Sequence, residues 1–286
     1  MRSLNVSEKE ITPSFIHQRN LPGVISTYVL DWAGKSLEGV YLIKNRLKEP
    51  KPSANEGVLL IPGIFDPVRG EYGEDSILKL LTESGASCVY ELHFRFEERC
   101  GFLSMEALMR DLRHIFSSDA KLKVIGLSGG SAFICAALFD LHEKGIQPSV
   151  SSALLLGPHM TDHPTIFMRS VRKVAYDQKM MAKVTRHAGH DNVPFNTAAA
   201  EEWLAQCQFT HAMRTFRVNN KRPGFPVYVE AHYFRFDTLA GPGRKRLHWY
   251  FDCPAPKKPM RGLHRGLFRV PESTQIICDF CKNNEV

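Results

Sequence analysis

Apolar and polar positions along the chain alternate between two periods. Near the start, "GVISTYVLDWAG" and "LEGVYLIKN" are short runs rich in β-branched and aromatic residues around a glycine-containing turn, which predicts a hairpin. After the loop "KEPKPSANEG", the run "GVLLIPGI" is continuously apolar and ends at Pro62 and Gly63, as expected of a strand buried on both faces. The pattern then switches between periods. Helix "EDSILKLLTESG", strand "ASCVYELHF", helix "SMEALMRDLRHIFSS" with Ser104 as its N-cap, strand "KLKVIGL", helix "SAFICAALFDLHEKG" and strand "SSALLLGP" follow in order. Strands alternating with helices of this length predict an α/β fold: a mostly parallel central sheet with helices on both faces and ligands at the carboxyl ends of the strands.

From His159 the rhythm is lost. Residues 159–223 have a helical, polar and histidine-bearing pattern, with no strand-like run, and strand character returns in "FPVYVEAHYF" and "RLHWYFD" before a closing helix expected from about Glu272. This order predicts one sheet interrupted by a helical lid: core 1–158, lid 159–223, core 224–286. Trp203, Phe209, Met213 and Phe216 supply an apolar underside for such a lid.

Composition narrows the class. The 286 residues are 43% hydrophobic and 23% charged, which excludes disordered and collagen-like chains. No stretch reaches the length a membrane helix needs and the first residues carry no apolar signal region, so the expected location is cytoplasmic. Seven cysteines, an odd number, do not form a disulfide framework in a chain of this size. The pair Cys278 and Cys281 lies in a segment with helical apolar spacing and lacks a second pair to complete a zinc site. The net charge of +7 is concentrated: eight basic residues lie between Arg244 and Arg269 against one acid, Asp252. That stretch is a solvated face or a contact for an anionic group. It lacks the aromatic interleaving of a nucleic-acid reader.

The chemistry centres on Gly126, Leu127, Ser128, Gly129 and Gly130. A GxSxG between an apolar strand and a helix is the pattern of a nucleophile elbow. The serine occupies a strained turn, and small residues two positions to either side let strand and helix approach. Such a turn lifts the hydroxyl clear of the backbone and aims helix-start N–H groups at the same point. The Gly129 amide is one expected oxyanion donor, and a second is expected from Ile64 or Phe65 in the turn after "VLLIPGI".

With these residues in place, the sequence resembles the α/β-hydrolase superfamily over nearly its whole length, through the strand ending at Pro62 and Gly63, the elbow "GLSGG", and the order of acid and histidine downstream. The resemblance implies a triad in which Ser128 is the nucleophile, His264 in "RGLHRGLF" the general base and Asp237 in "RFDTLAGPG" the acid. Asp162, after "SSALLLGP", is an alternative acid, and Asp252 a weaker one. The implied activity is cleavage of a carboxylic ester through an acyl-enzyme, without metal or cofactor. A serine at the elbow argues against dehalogenase, epoxide hydrolase and dienelactone hydrolase chemistry. An acyl thioesterase or acyltransferase, holding coenzyme A or an acyl carrier protein at residues 244–269, and an inactive small-molecule binding protein are the alternatives.

Two departures from the family pattern stand out. Pro62 and Gly63 replace a frequent His-Gly, and "ELHFRFEERCGF" replaces an Asp-containing loop, which leads one to expect Glu91, His93 and Arg95 at the rim of the site. His159 with His163, and His187 with His190 and Asp191, have spacings that suit metal ligation but read as polar lid surface.

Overall fold

The computed structural model describes residues 8–10, 21–49, 56–63, 74–97, 102–103, 105–158, 227–233, 260 and 271–282. The strands in chain order are β1 (Glu8–Glu10), β2 (Val24–Val29), β3 (Asp31–Trp32), β4 (Lys35–Ser36), β5 (Val40–Leu47), β6 (Gly57–Ile61), β7 (Val89–Phe94), β8 (Phe96–Glu97), β9 (Phe102–Leu103), β10 (Leu122–Leu127), β11 (Val150–Leu156) and β12 (Tyr228–His232). The helices are α1 (Glu74–Glu83), α2 (Met105–Phe116), α3 (Gly129–Glu143) and α4 (Pro271–Lys282).

Among the described residues, eight strands form one sheet in the order β1-β2-β5-β7-β6-β10-β11-β12. From β7 to β12 every pair is parallel, and β1, β2 and β5 add an antiparallel edge. The hairpin expected from the first two runs is the β2–β5 pair, with Val24 opposite Leu47. The turn between them carries a further small hairpin, β3 with β4. The central strands are buried along their whole length, including all of Gly57–Ile61 and all of Leu122–Leu127, as their unbroken apolar runs require.

Side chains alternate between the two faces of the sheet and build two cores. On one face Leu59, Ile61, Tyr90, Leu92 and Val124 meet Leu108, Leu112, Ile115 and Phe116 of α2 and Phe133, Leu138 and Leu141 of α3. On the other, Val58, Leu60, Ile125, Leu127 and Leu156 meet Ile77, Leu80 and Leu81 of α1 and Ile277, Cys278, Phe280 and Cys281 of α4. The CxxC pair is therefore core. Burial pushes the Cys281 thiol up to about 12 and raises that of Cys278, so neither is a ready thiolate.

Helix α2 is amphipathic, with Arg110 exposed opposite the buried stripe, and carries Glu106 in its first turn and Arg113 and His114 in its last, both favourable to its dipole. Helix α3 differs: Ala132 to Cys135 are all buried, so its early turns are enclosed on every side.

Candidate active site

The connections after β6 and β10 leave in opposite directions. The chain after β6 goes on to α1 on one face, whereas β10 runs directly into α3 on the other. The two strands are neighbours, with Gly126 opposite Ile61. A crevice therefore opens between their carboxyl ends.

Ser128 stands at that crevice. It has φ 48° and ψ −115°, a left-handed conformation that costs an L-residue on the order of 1–3 kcal/mol. Among the described residues only Ala33, also at positive φ (49°), shares this feature without being glycine. The surroundings hold the strain in place. The Ser128 amide donates to the Leu156 carbonyl at 2.9 Å, extending the β10–β11 ladder one residue past the strand, and the Ser131 amide donates to the Ser128 carbonyl at 3.2 Å. The fully buried Ser131 hydroxyl donates to the Gly126 carbonyl at 2.8 Å, tying the first turn of α3 back to the strand it leaves.

The flanking glycines are required by contact. A Cβ at Gly126 would lie 2.5 Å from Ile134 Cδ1 and 2.7 Å from Ser131 Cα, and one at Gly130 would lie 2.4 Å from the carbonyl oxygens of both Ile61 and Pro62. Strand, turn and helix pack against one another's backbones at separations that exclude any side chain. The Gly130 contact also presses the start of α3 against the end of β6, so the segment at Pro62 and Gly63 begins beside Ser128. Gly129 is the first residue of α3, where an amide has no acceptor within the helix and points with the positive end of its dipole. Next to the crevice the Phe94 ring, at the end of β7, packs edge-on against Phe133 of α3 at 5.7 Å between centroids.

Ser128, Gly129 and the Pro62–Gly63 strand end thus lie side by side. Ile64, Phe65, Asp162, Asp237, Asp252 and His264 lie outside the described residues, as do the lid and, apart from Met260, the basic stretch 244–269. The rim expectation is corrected for Glu91. Its side chain is fully buried in the sheet, where Oε1 accepts from Asn45 Nδ2 at 2.7 Å, and Asn45 in turn accepts from Ser26 Oγ at 2.6 Å. Glu91 lies opposite Leu60 in mid-strand, below the carboxyl edge, so its side chain enters the interior. His93 and Arg95, two and four residues on, are half-buried near that edge.

Two features of the structure carry no motif in the sequence. Ser131, a serine three residues after the elbow serine, has a hydroxyl placed to back-bond. Glu230 and His232 share one face of β12, and their side chains meet at 2.5 Å. Their i, i+2 spacing in a strand was the available signal.

No protein-family model matches the sequence, and no curated protein matches it. Solved structures do match. Similar ones include a thermostable esterase from Pseudomonas putida, at TM-score 0.54 and 17% identity over 93% of this chain and 84% of that one. An esterase/lipase from an uncultured bacterium matches at 0.53 and 13% over 93% and 85%. A hyperthermophilic esterase from the archaeon Pyrobaculum calidifontis matches at 0.53 and 13% over 93% and 84%. The mostly parallel sheet covered by helices on both faces is the α/β-hydrolase fold, and the chain adopts it. Among the described residues no helix is long and apolar enough to cross a membrane.

Proposed function

We propose that the protein is a serine hydrolase that cleaves a carboxylic ester through an acyl-enzyme. The observation that carries this reading is the backbone of Ser128, held at φ 48° in a strand-to-helix turn whose flanking glycines tolerate no Cβ. A strained serine enforced by its surroundings at the crevice of an α/β sheet is the arrangement an exposed nucleophile needs. The esterases that share the fold support the reaction class.

In this reading Ser128 Oγ attacks the ester carbonyl carbon while His264 takes its proton. The tetrahedral oxyanion accepts hydrogen bonds from the Gly129 amide and from a second amide, that of Ile64 or Phe65. Collapse breaks the bond to the leaving alcohol, whose oxygen takes the proton from His264. Water then attacks the acyl carbon, giving a proton to His264 that returns to Ser128 as the acid leaves. Asp237 accepts from the imidazole N–H throughout, fixing its tautomer and stabilising the imidazolium.

Chain reach supports these assignments. Gly157, just past β11, donates its amide to the His232 carbonyl, and Met260 donates to that of Tyr233, so the row of strand ends beside Ser128 continues through Tyr233 to Met260. Asp237 follows Tyr233, and His264 follows Met260, by four residues each, a span of up to about 14 Å. The pairing of β11 with β12 on either side of residues 159–223 supports their reading as an insertion into one sheet.

A fluorophosphonate probe tests the proposal through intact mass. One adduct is expected on the wild type and none on Ser128→Ala. Asp237→Asn is expected to lower ester turnover by about four orders of magnitude, with little loss in Asp162→Asn. An adduct that persists in Ser128→Ala overturns the assignment of the nucleophile.

A further inference from the structure

On the α1 side of the antiparallel edge, three half-buried side chains stack across adjacent strands. The Tyr28 ring on β2 lies 5.5 Å from that of Tyr41 on β5, and the Arg95 guanidinium, just past β7, sits 4.5 Å above the Tyr41 ring. Among the described residues their hydrogen-bonding capacity is almost unspent. The Arg95 guanidinium makes one long bond, 3.4 Å to the Glu38 carbonyl, and the Glu38 carboxylate is committed to Arg110 at 2.6 Å. Among the described residues no carboxylate pairs with Arg95, and neither tyrosine hydroxyl makes a hydrogen bond. The nearby acid, Glu91, is buried and engaged by Asn45. Burial pushes the Tyr28 phenol up, so it remains a donor at neutral pH.

Among the described residues the cluster therefore presents two phenols, each with an O–H to donate, and a planar donor-only fork with N–H groups to spare, half withdrawn from water. That is the chemistry of carboxylate recognition. Its place relative to Ser128 follows from the strand register. Continuing the pairing of Leu60 with Glu91 and of Gly126 with Ile61 puts Phe94, Gly63 and Ser128 at one level. Arg95 is one residue further, and its guanidinium reaches across to β5, three strand spacings or roughly 14 Å from Ser128.

We propose that Arg95 and Tyr41, with Tyr28, form a subsite for a carboxylate at the far end of the substrate's acyl chain, so that the preferred esters are monoesters of long dicarboxylic acids. This rests on the ester-hydrolase reading above. The subsite extends it to three residues that the elbow does not involve.

The test compares p-nitrophenyl decanoate with mono-p-nitrophenyl decanedioate, which differ in the terminal carboxylate. The wild type is expected to favour the diacid ester by about tenfold in kcat/KM, with the preference declining as salt is raised. Arg95→Gln is expected to abolish the preference and Arg95→Lys, which keeps the charge and loses the fork, to restore part of it. Thermal melting of each variant establishes that it is folded. A preference that is absent in the wild type, or unchanged in folded Arg95→Gln, overturns the subsite while leaving the hydrolase reading intact. Failure of that reading has a separate signature, no turnover of either ester and no fluorophosphonate adduct. In that event calorimetry with decanedioate decides the subsite: binding by the wild type and a tenfold loss in Arg95→Gln supports it, and equal or absent binding overturns it.

Discussion

A positive φ at a serine persists only where neighbouring atoms leave the backbone no cheaper path, and at Ser128 those atoms can be named. Gly126 and Gly130 let strand and helix close on the turn, and the Ser131 hydroxyl fastens the closure at 2.8 Å. Adding a methyl at Gly130 forces α3 away from the carbonyls of Ile61 and Pro62, an overpacking that costs about 1–3 kcal/mol. The same shift misdirects the serine and the Gly129 amide. Gly130→Ala is expected to slow fluorophosphonate labelling on the order of a hundredfold, beyond any loss of folded protein. Ser131→Ala removes one buried hydrogen bond, a loss of about 1 kcal/mol in stability, and is expected to slow labelling more modestly. Rates measured on samples shown by melting to be folded check both.

Position within an element explains why neighbouring residues of one segment have different fates. The first four residues of "ELHFRF" complete β7, and strand alternation sends Glu91 into the interior and Leu92 to the opposite core. Its partner Asn45 comes from a strand 46 residues away, a pairing that no local pattern reveals. Lys123 is similar. It is buried near the start of β10, and its ammonium donates to the carbonyls of Phe280 at 3.2 Å and Cys281 at 2.8 Å, capping the last turn of α4. Burial lowers its pKa, but the charge is favoured by the helix C-terminus it faces. Lys123→Met fills the space and strands two carbonyls, so a loss of about 1–3 kcal/mol is expected. Hydrogen exchange in α4 should rise ahead of exchange in β10, because the ammonium fastens the helix to a sheet that is otherwise paired on both sides.

For the whole molecule, the buried thiol of Cys281 links stability to pH. Its folded pKa is raised to about 12 from an ordinary value near 9.0, so the folded state keeps a proton that the unfolded chain releases first. The stability this confers is fully present below about pH 9 and is lost as pH rises towards 12. Urea denaturation between pH 8 and 11 is expected to show a decline that is shallower in Cys281→Ala. A decline of equal slope would mean that other groups, Tyr28 among them, account for it.

Among the described residues, the sequence by itself determined the central strands and the helices that cover them, because unbroken apolar runs and 3.6-residue stripes each satisfy one kind of backbone, and it determined the elbow, because glycines on both sides of a serine between strand and helix have a local cause. The structure was needed for what depends on strand order. The crevice exists because β6 and β10 are neighbours whose chains depart to opposite faces, and the Tyr28, Tyr41 and Arg95 stack exists because β2, β5 and β7 lie side by side. Strand order is set by the packing of distant segments into two cores, and that packing is a property of the folded chain as a whole.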